Sequence, residues 1–234
     1  MTAVPADLEI VPLTPARLPD LAALFGQGGD PKWCWCAYYR VRGVNATHRA
    51  DRVAANRAVL ESAVEGLATE GRAPGLVAYR DGVAVGWISL GPREDYQRLE
   101  HSTVLKRVDE RPVWSIVCFV VARAVRGQGV AKALLDAAVA YARDHGATLL
   151  EAYPVDTGGR RIPSAYAFSG ALSMYEAAGF EIVARRQYSQ TSPVRPIVRR
   201  AVRRSGRRRR SATAPWRSGI PNPNIEPFRG PGRS

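Results

Sequence analysis

Apolar and polar residues alternate along most of this chain in two periods, one typical of helices and one typical of strands. Residues 47–71 place Val53, Leu60, Val64 and Leu67 at spacings of seven, four and three, between a threonine and a glycine. This pattern predicts an amphipathic helix that begins at a threonine cap and ends at a glycine.

Strand patterns occupy the middle of the chain. Residues 76–91 form two apolar runs around Asp81-Gly82, a dipeptide typical of tight hairpin turns. Residues 113–122 are continuously apolar and rich in β-branched and aromatic side chains, which predicts a buried central strand. The polar residues 92–112 between them are expected to form a loop. The other expected strands are 8–13, 148–154, 181–188 and 196–202, and the other expected helices are 14–26, 130–145 and 170–178.

Composition and charge divide the chain into two parts. Hydrophobic residues make up 46% of it, enough for a buried core in a mixed α and β fold. The net charge of +13 is concentrated at one end, since residues 195–234 contain twelve arginines and one acid. We therefore expect one domain over 1–202 and a disordered, Arg-rich basic tail over 203–234. That tail could bind nucleic acid, but a solubilising extension without a dedicated partner is the favoured interpretation.

The sequence contains no run of about 18 apolar residues and no secretory signal pattern, so a cytoplasmic protein without a membrane span is expected. Cys34, Cys36 and Cys118 are then interpreted as free thiols.

A short glycine-containing turn follows the expected central strand and opens the next helix. The turn contains Gly127 and Gly129, with Arg126 immediately before them. A helix N-terminus offers unpaired backbone N–H groups, glycines let an anion approach them, and an arginine adds a cation. This arrangement indicates a phosphate or pyrophosphate site, although spacing alone leaves a simple turn equally open.

Two motifs resemble signatures of the GNAT superfamily of acyl-CoA-dependent N-acetyltransferases. Arg126-Gly127-Gln128-Gly129-Val130-Ala131 resembles its pyrophosphate-binding motif, and Tyr175 lies four residues before Gly179-Phe180, as in its second signature. The resemblance covers about residues 8–202 and implies a mixed, mostly antiparallel sheet flanked by about four helices, with a splayed central strand.

The resemblance also assigns roles to individual residues. Val121 would bond the pantetheine amide of acetyl-CoA, and Tyr175 would protonate the departing CoA thiolate. The pyrophosphate would be wrapped by Arg126, Gly127, Gln128, Gly129, Val130 and Ala131. No metal is implied.

The group that deprotonates the attacking amine is not marked by any motif. The expected central strand carries neither a carboxylate nor a histidine. Glu151 on the next strand is one candidate, and Glu94, Asp95, Glu100 and His101 are others, as is a chain of water molecules.

The stretch PKWCWCAYYR, residues 31–40, combines aromatic and cysteine residues. A metal or redox pair is disfavoured because the two cysteines are separated by one residue and no second pair exists. Base stacking and simple core packing remain open. By resemblance, this segment between the first two helices forms a wall of the acceptor pocket, which an apolar or aromatic amine, or a cation over ring faces, would suit. The candidate acceptor-binding residues are Trp33, Trp35, Tyr38 and Tyr39.

The function expected from the sequence is transfer of an acetyl group from acetyl-CoA to a primary amine by direct attack, with Tyr175 as general acid. The alternative is a non-catalytic CoA-binding or nucleic-acid-binding module on the same fold. The sequence does not identify the acceptor.

Overall fold

The strands of the protein pair into a single seven-stranded sheet within the residues that the computed structural model describes, 7–29, 31–42, 48–156, 158, 168–190 and 194–202. The expected basic tail, 203–234, lies outside the described residues, so its disorder stays a prediction. The strands are β1 (Glu9–Pro12), β2 (Gly75–Arg80), β3 (Val83–Pro92), β4 (Trp114–Val121), β5 (Leu149–Ala152), β6 (Glu181–Arg186) and β7 (Arg195–Ala201).

The sheet order is β1-β2-β3-β4-β5-β7-β6, and its pairs are antiparallel except for β4 with β5. The expectation of a mixed, mostly antiparallel sheet is therefore confirmed. The single parallel pair lies where a helix connects the two strands, because parallel neighbours need a crossover connection. The helices are α1 (Leu18–Gly26), α2 (Pro31–Cys34), α3 (Arg49–Thr69), α4 (Gln97–Glu100), α5 (Val130–Asp144) and α6 (Leu172–Ala177).

Helices α1 and α5 cover opposite faces of the sheet. Trp87 of β3 packs edge-on against Phe25 of α1, with ring centroids 6.4 Å apart. The preceding residue, Gly86, faces Val130 and Leu134 of α5. Consecutive residues of a strand point to opposite faces, so the two helices enclose the sheet between them.

The hairpin between β2 and β3 forms where the sequence predicts it. Both turn residues have positive φ, 50° at Asp81 and 74° at Gly82. Two consecutive left-handed residues give a turn whose twist matches that of the flanking strands, and aspartate followed by glycine adopts this conformation at low cost. The hairpin pairs β3 with β2, and the other edge of β3 pairs with β4.

The expectation of a polar loop over 92–112 is wrong in its details. A 3-10 turn covers Arg93–Asp95 and α4 follows it. Arg93, Tyr96 and Leu99 are completely buried. The polar sequence predicts a solvent-exposed loop, but Arg93 is buried in ion pairs instead of facing solvent.

None of the helices in the described part of the chain is long and apolar enough to cross a membrane.

Candidate active site

The glycine turn connects the end of β4 to the start of α5. β4 ends at Val121, a 3-10 turn covers Arg123–Val125, and α5 begins at Val130. Gly127 and Gly129 adopt the left-handed conformation, with φ of 79° and 82°. A side chain at either position would strain the backbone, so these glycines allow the exposed turn to lead into the helix.

Two side-chain contacts fix the turn to the sheet. Arg126 donates a hydrogen bond from Nε to the carbonyl of Val121 at 3.1 Å. Gln128 accepts one from Arg80 of β2 at 2.6 Å and donates one to the carbonyl of Ala124. The turn is therefore anchored to the end of the strand that precedes it.

β4 separates from β5 over its second half. Pairing between the two strands extends only over Trp114–Ile116 with Leu150–Ala152. Ser89 faces Cys118 and Leu90 faces Ile116, so Val117 is an extra residue on β4, a β-bulge. The bulge lies where the two strands diverge, which confirms the splayed central strand.

A cleft of about 890 Å³ reaches the diverging part of β4. Its wall includes Cys118, Phe119 and Val120 of that strand and Leu105 of the segment before it. The aromatic lining residues are Trp33, Tyr38, Tyr39, Phe119, Tyr153, Phe168 and Tyr188.

The structure divides the aromatic residues of 31–40 between the cleft and the core. Trp33, Tyr38 and Tyr39 line the cleft. Trp35 does not: it is 7% exposed and packs edge-on against Phe25, with ring centroids 5.4 Å apart. Three of the four candidates therefore lie beside the cleft, and their binding of an acceptor stays a prediction.

The backbone of this stretch turns sharply after α2. Trp35 and Cys36 have φ of 47° and 52°, unusual for residues with a side chain. Cys36 is held in place because the Trp87 indole N–H donates to its sulfur at 3.2 Å. Packing of Trp35 in the core supports the same turn, which directs Trp33 and Tyr38 toward the cleft.

Cys36 also donates to the sulfur of Cys118 on β4, 3.3 Å away. This hydrogen bond, together with burial, raises the pKa of the Cys36 thiol well above its ordinary value. The Cys36 thiol therefore keeps its proton, and its contact with Cys118 links the aromatic stretch to the central strand. Within the described part of the chain, no three His, Cys, Asp or Glu residues are grouped as metal ligands.

Tyr175 lies behind the cleft lining. It is fully buried, and its ring packs against Phe119 and Phe180 with centroids 6.3 and 5.2 Å away. Its hydroxyl donates to the carbonyl of Ser169 at 3.1 Å. Burial raises the pKa of Tyr175 well above its ordinary value, so the phenol keeps its proton.

Glu151 forms a buried ion-pair network. Its carboxylate is inaccessible to solvent and accepts from Arg93 at 2.8 Å and from Arg199 at 2.7 Å. The Tyr153 hydroxyl donates to it as well, at 2.7 Å. Because two guanidiniums stabilise its negative charge, this geometry argues against the catalytic role suggested for Glu151, which stays an untested prediction.

Among the other base candidates, only His101 lines the cleft. Glu94 pairs with Arg107, and Glu100 pairs with both Arg93 and Arg107. Asp95 lies 3.6 Å from Arg72.

Sequence reasoning missed three arginines that line the cleft, Arg42, Arg98 and Arg195. Arg42 is just outside the aromatic stretch, Arg98 lies in the segment expected to be a loop, and Arg195 begins the last strand. No local motif marks them, since they converge only after the sheet is assembled.

The comparisons with known proteins agree with this geometry. The family model for the acetyltransferase (GNAT) family matches residues 51–180, more than half of the chain. The chain belongs to that family, whose members are N-acetyltransferases that use acetyl-CoA. No curated protein matches it at the level of sequence.

Several solved structures have a similar fold at low sequence identity. A polyamine N-acetyltransferase from Drosophila melanogaster is 13% identical, with a TM-score of 0.52 over 83% of this chain and 100% of that one. An agmatine N-acetyltransferase mutant is 12% identical, with a TM-score of 0.52 over 83% and 99%. A protein from Salmonella typhimurium, solved with its cofactor acetyl-CoA, is 17% identical, with a TM-score of 0.47 over 86% and 97%.

Proposed function

We propose that the protein transfers the acetyl group of acetyl-CoA to a primary amine bound in the cleft. The observation that carries this proposal is the course of β4. Its splayed half lies along the cleft, and its end leads directly into the glycine turn. One strand thus connects an anion site to an acceptor cavity, as a bisubstrate reaction requires.

The residues of the turn fit a pyrophosphate. A side-chain carbon built on Gly127 would meet nothing within 4 Å, so an anion can reach the backbone there. The N–H groups of the first turn of α5 have no helical partners. We propose that Gly127, Gly129, Val130 and Ala131 hold the pyrophosphate through their backbone N–H groups, with Arg126 and Gln128 beside it. The N–H of Gln128 itself donates to the carbonyl of Val125 at 3.3 Å. Val121 would bond the pantetheine amide.

Bound acetyl-CoA supplies the activated acetyl group as a thioester. Backbone N–H groups of the splayed half of β4 are available to stabilise negative charge on the reacting carbonyl oxygen. Tyr175 is proposed as general acid, because its phenol keeps its proton and lies behind the cleft lining, against Phe119. In this role the Tyr175 hydroxyl would donate to the leaving sulfur instead of to the Ser169 carbonyl.

The attacking amine must lose a proton before or during transfer. We propose His101 as the acceptor of that proton, because it is the one sequence-derived base candidate that lines the cleft in the described part of the chain. The carboxylates of Glu94, Glu100 and Glu151 are engaged by arginines.

The test measures thiol release from acetyl-CoA across a panel of primary amines, for the unmodified protein and Tyr175→Phe. The variant keeps the ring packing, so we expect kcat to fall about 100-fold or more while the KM for acetyl-CoA stays within twofold. Tyr96→Phe is the matched control. Tyr96 is equally buried and lies outside the cleft lining, and its substitution also removes a hydrogen-bonded hydroxyl.

Equal kinetics of the two variants would remove Tyr175 from the mechanism. Binding of acetyl-CoA without thiol release on any amine would favour the non-catalytic module instead.

A further inference from the structure

The cleft is positively charged. Arg42, Arg98 and Arg195 line it, whereas none of its described lining residues is an aspartate or glutamate. Neither Arg42 nor Arg195 has an ion-pair partner among the residues that the structure describes. Like charges that share a cavity without counterions repel one another, so an anionic ligand would be attracted to them.

Arg98 is held in a fixed position by its neighbours. Its Nε donates to the carbonyl of Tyr38 at 2.6 Å, and its Nη2 donates to the carbonyl of Arg42 at 2.7 Å. The guanidinium carbon lies 4.1 Å from the centroid of the Tyr38 ring. These contacts leave Nη1 without a partner in the described part of the chain. A guanidinium whose position is already fixed loses little conformational entropy when it binds a carboxylate or phosphate.

Tyr39 provides a further polar group at the cleft. The residue is 8% exposed and lines the cleft, yet its hydroxyl has no hydrogen-bond partner among the described residues. Burial raises the pKa of Tyr39, and the charges of Arg195 and Arg98 oppose that rise. A phenolic hydroxyl can both donate and accept a hydrogen bond, so this one is available to a ligand in the cleft.

The aromatic rings are already occupied by protein cations. Besides Arg98 over Tyr38, the ammonium group of Lys32 lies 4.4 Å from the centroid of the Trp33 ring. Stacking of a cationic acceptor on these faces, which the sequence had left open, would therefore compete with the side chains of the protein itself.

We propose that the acceptor is a primary amine that also carries an anionic group, a carboxylate or a phosphate, bound by Arg98, Arg195 and the Tyr39 hydroxyl. Its apolar part would lie against Trp33 and Phe168. This inference rests on the proposed function, because it names the substrate class of the same cleft. It separates this protein from enzymes for polycationic amines, whose additional positive charges would face guanidiniums here.

The test compares acceptors that differ in one anionic group. Phenylalanine is compared with phenethylamine for the carboxylate, phosphoethanolamine with ethanolamine for the phosphate, and agmatine represents polycations. The first readout is kcat/KM from thiol release. The second is isothermal titration of the same compounds into protein saturated with CoA, which reports binding whether or not transfer occurs.

We expect at least one anionic member to exceed its partner about tenfold or more in both kcat/KM and affinity, since hydrogen bonds to charged groups contribute at this level. The compound with the larger gain identifies carboxylate or phosphate as the recognised group.

Arg195→Gln should reduce this preference about tenfold, and Tyr39→Phe should reduce it while keeping the volume of the ring. Arg200→Gln, on the same strand but outside the cleft lining, should preserve the preference.

The outcomes separate the two proposals. Transfer to phenethylamine, ethanolamine or agmatine at equal or higher kcat/KM than to the anionic partners would overturn the anionic acceptor and leave the acetyltransferase function standing. Selective binding of an anionic compound that depends on Arg195, without thiol release, would support the ligand class and overturn the transfer. Absence of both selective binding and selective transfer would refute the inference.

Discussion

Individual residues in this protein take roles that their type alone does not reveal. Glu151 on a strand beside the cleft has the chemistry of a base, yet it lies between Arg93 and Arg199 with a tyrosine hydroxyl as a third partner. Trp33 and Trp35 are two positions apart, but one lines the cleft and the other packs in the core. The two tryptophans thus have different environments because the backbone turn directs their side chains differently.

The role of Glu151 can be measured by removing its charge. Glu151→Gln removes the buried carboxylate that Arg93 and Arg199 share and leaves them only the more exposed Glu100 and Asp109 as anionic partners. We therefore expect the free energy of unfolding to fall by about 1.5–3 kcal/mol. The pH–rate profile of the folded enzyme should keep its shape, because the proton from the amine leaves by another route. Urea unfolding and steady-state kinetics provide the two measurements.

The control for this change is Glu61→Gln. Glu61 pairs with Arg57 on the exposed surface of α3, where an ion pair contributes less than about 1 kcal/mol. Loss of one ionisation from the pH–rate profile of Glu151→Gln, with unfolding energy close to that of the control, would restore Glu151 as a base.

At the scale of secondary-structure elements, the contact between α5 and β3 positions the glycine turn. Gly86 lacks a side chain where Val130 and Leu134 approach the strand. Val130 is also the first residue of α5, immediately after Gly129. Any displacement of the helix away from the sheet would therefore move the first-turn N–H groups that are proposed to bind pyrophosphate.

Gly86→Ala tests this coupling. The new methyl carbon would lie 2.8 Å from Val130 Cγ1 and 2.9 Å from Leu134 Cδ1, closer than carbon atoms normally approach. We expect a loss of about 1–3 kcal/mol in unfolding free energy from overpacking, together with weaker acetyl-CoA binding by titration calorimetry.

Gly66→Ala provides the contrast in the last turn of α3, where a side-chain carbon would meet nothing within 4 Å. It should stabilise the protein by up to about 1 kcal/mol and leave acetyl-CoA affinity unchanged. Equal acetyl-CoA affinity in the two variants would contradict the positional coupling between Gly86 and the turn.

At the scale of the whole molecule, three buried phenols link the stability of the fold to high pH. Burial is the main cause that raises the pKa of Tyr96 to about 12 and those of Tyr153 and Tyr175 well above their ordinary value. They lie in different parts of the core, on the segment before β4, after β5 and on α6.

We expect the unfolding free energy to decrease as pH rises above about 10. An unfolded chain loses its phenolic protons near pH 10, whereas the native state retains those of the buried residues until about pH 12 or above. Each such phenol contributes a slope of about −1.4 kcal/mol per pH unit in that window. Urea unfolding at several pH values measures the slope, and Tyr96→Phe should make it shallower. An identical slope in the variant would show that Tyr96 does not retain its proton in the native state.

Most elements of the fold could be predicted from the sequence because their signals are local. Apolar periodicity marks α3, and a continuous apolar run marks β4. Asp81-Gly82 marks the hairpin, and the glycines before Val130 mark the start of α5. The prediction of a polar loop over 92–112 was wrong because Arg93 is buried by partners that are distant in sequence, one of which is Glu151. The same limit applies to the cleft, where Arg98 and Arg195 come from separate segments.

The sequence by itself determined the family, the order of the elements and the glycine turn, because each depends on residues close together in the chain. Only the tertiary structure decided which rings line the cleft, which carboxylates are neutralised by arginines, and what charge the cleft carries. These properties depend on side chains brought together by strand pairing and packing, and their energies follow from burial and distance, which no local pattern records.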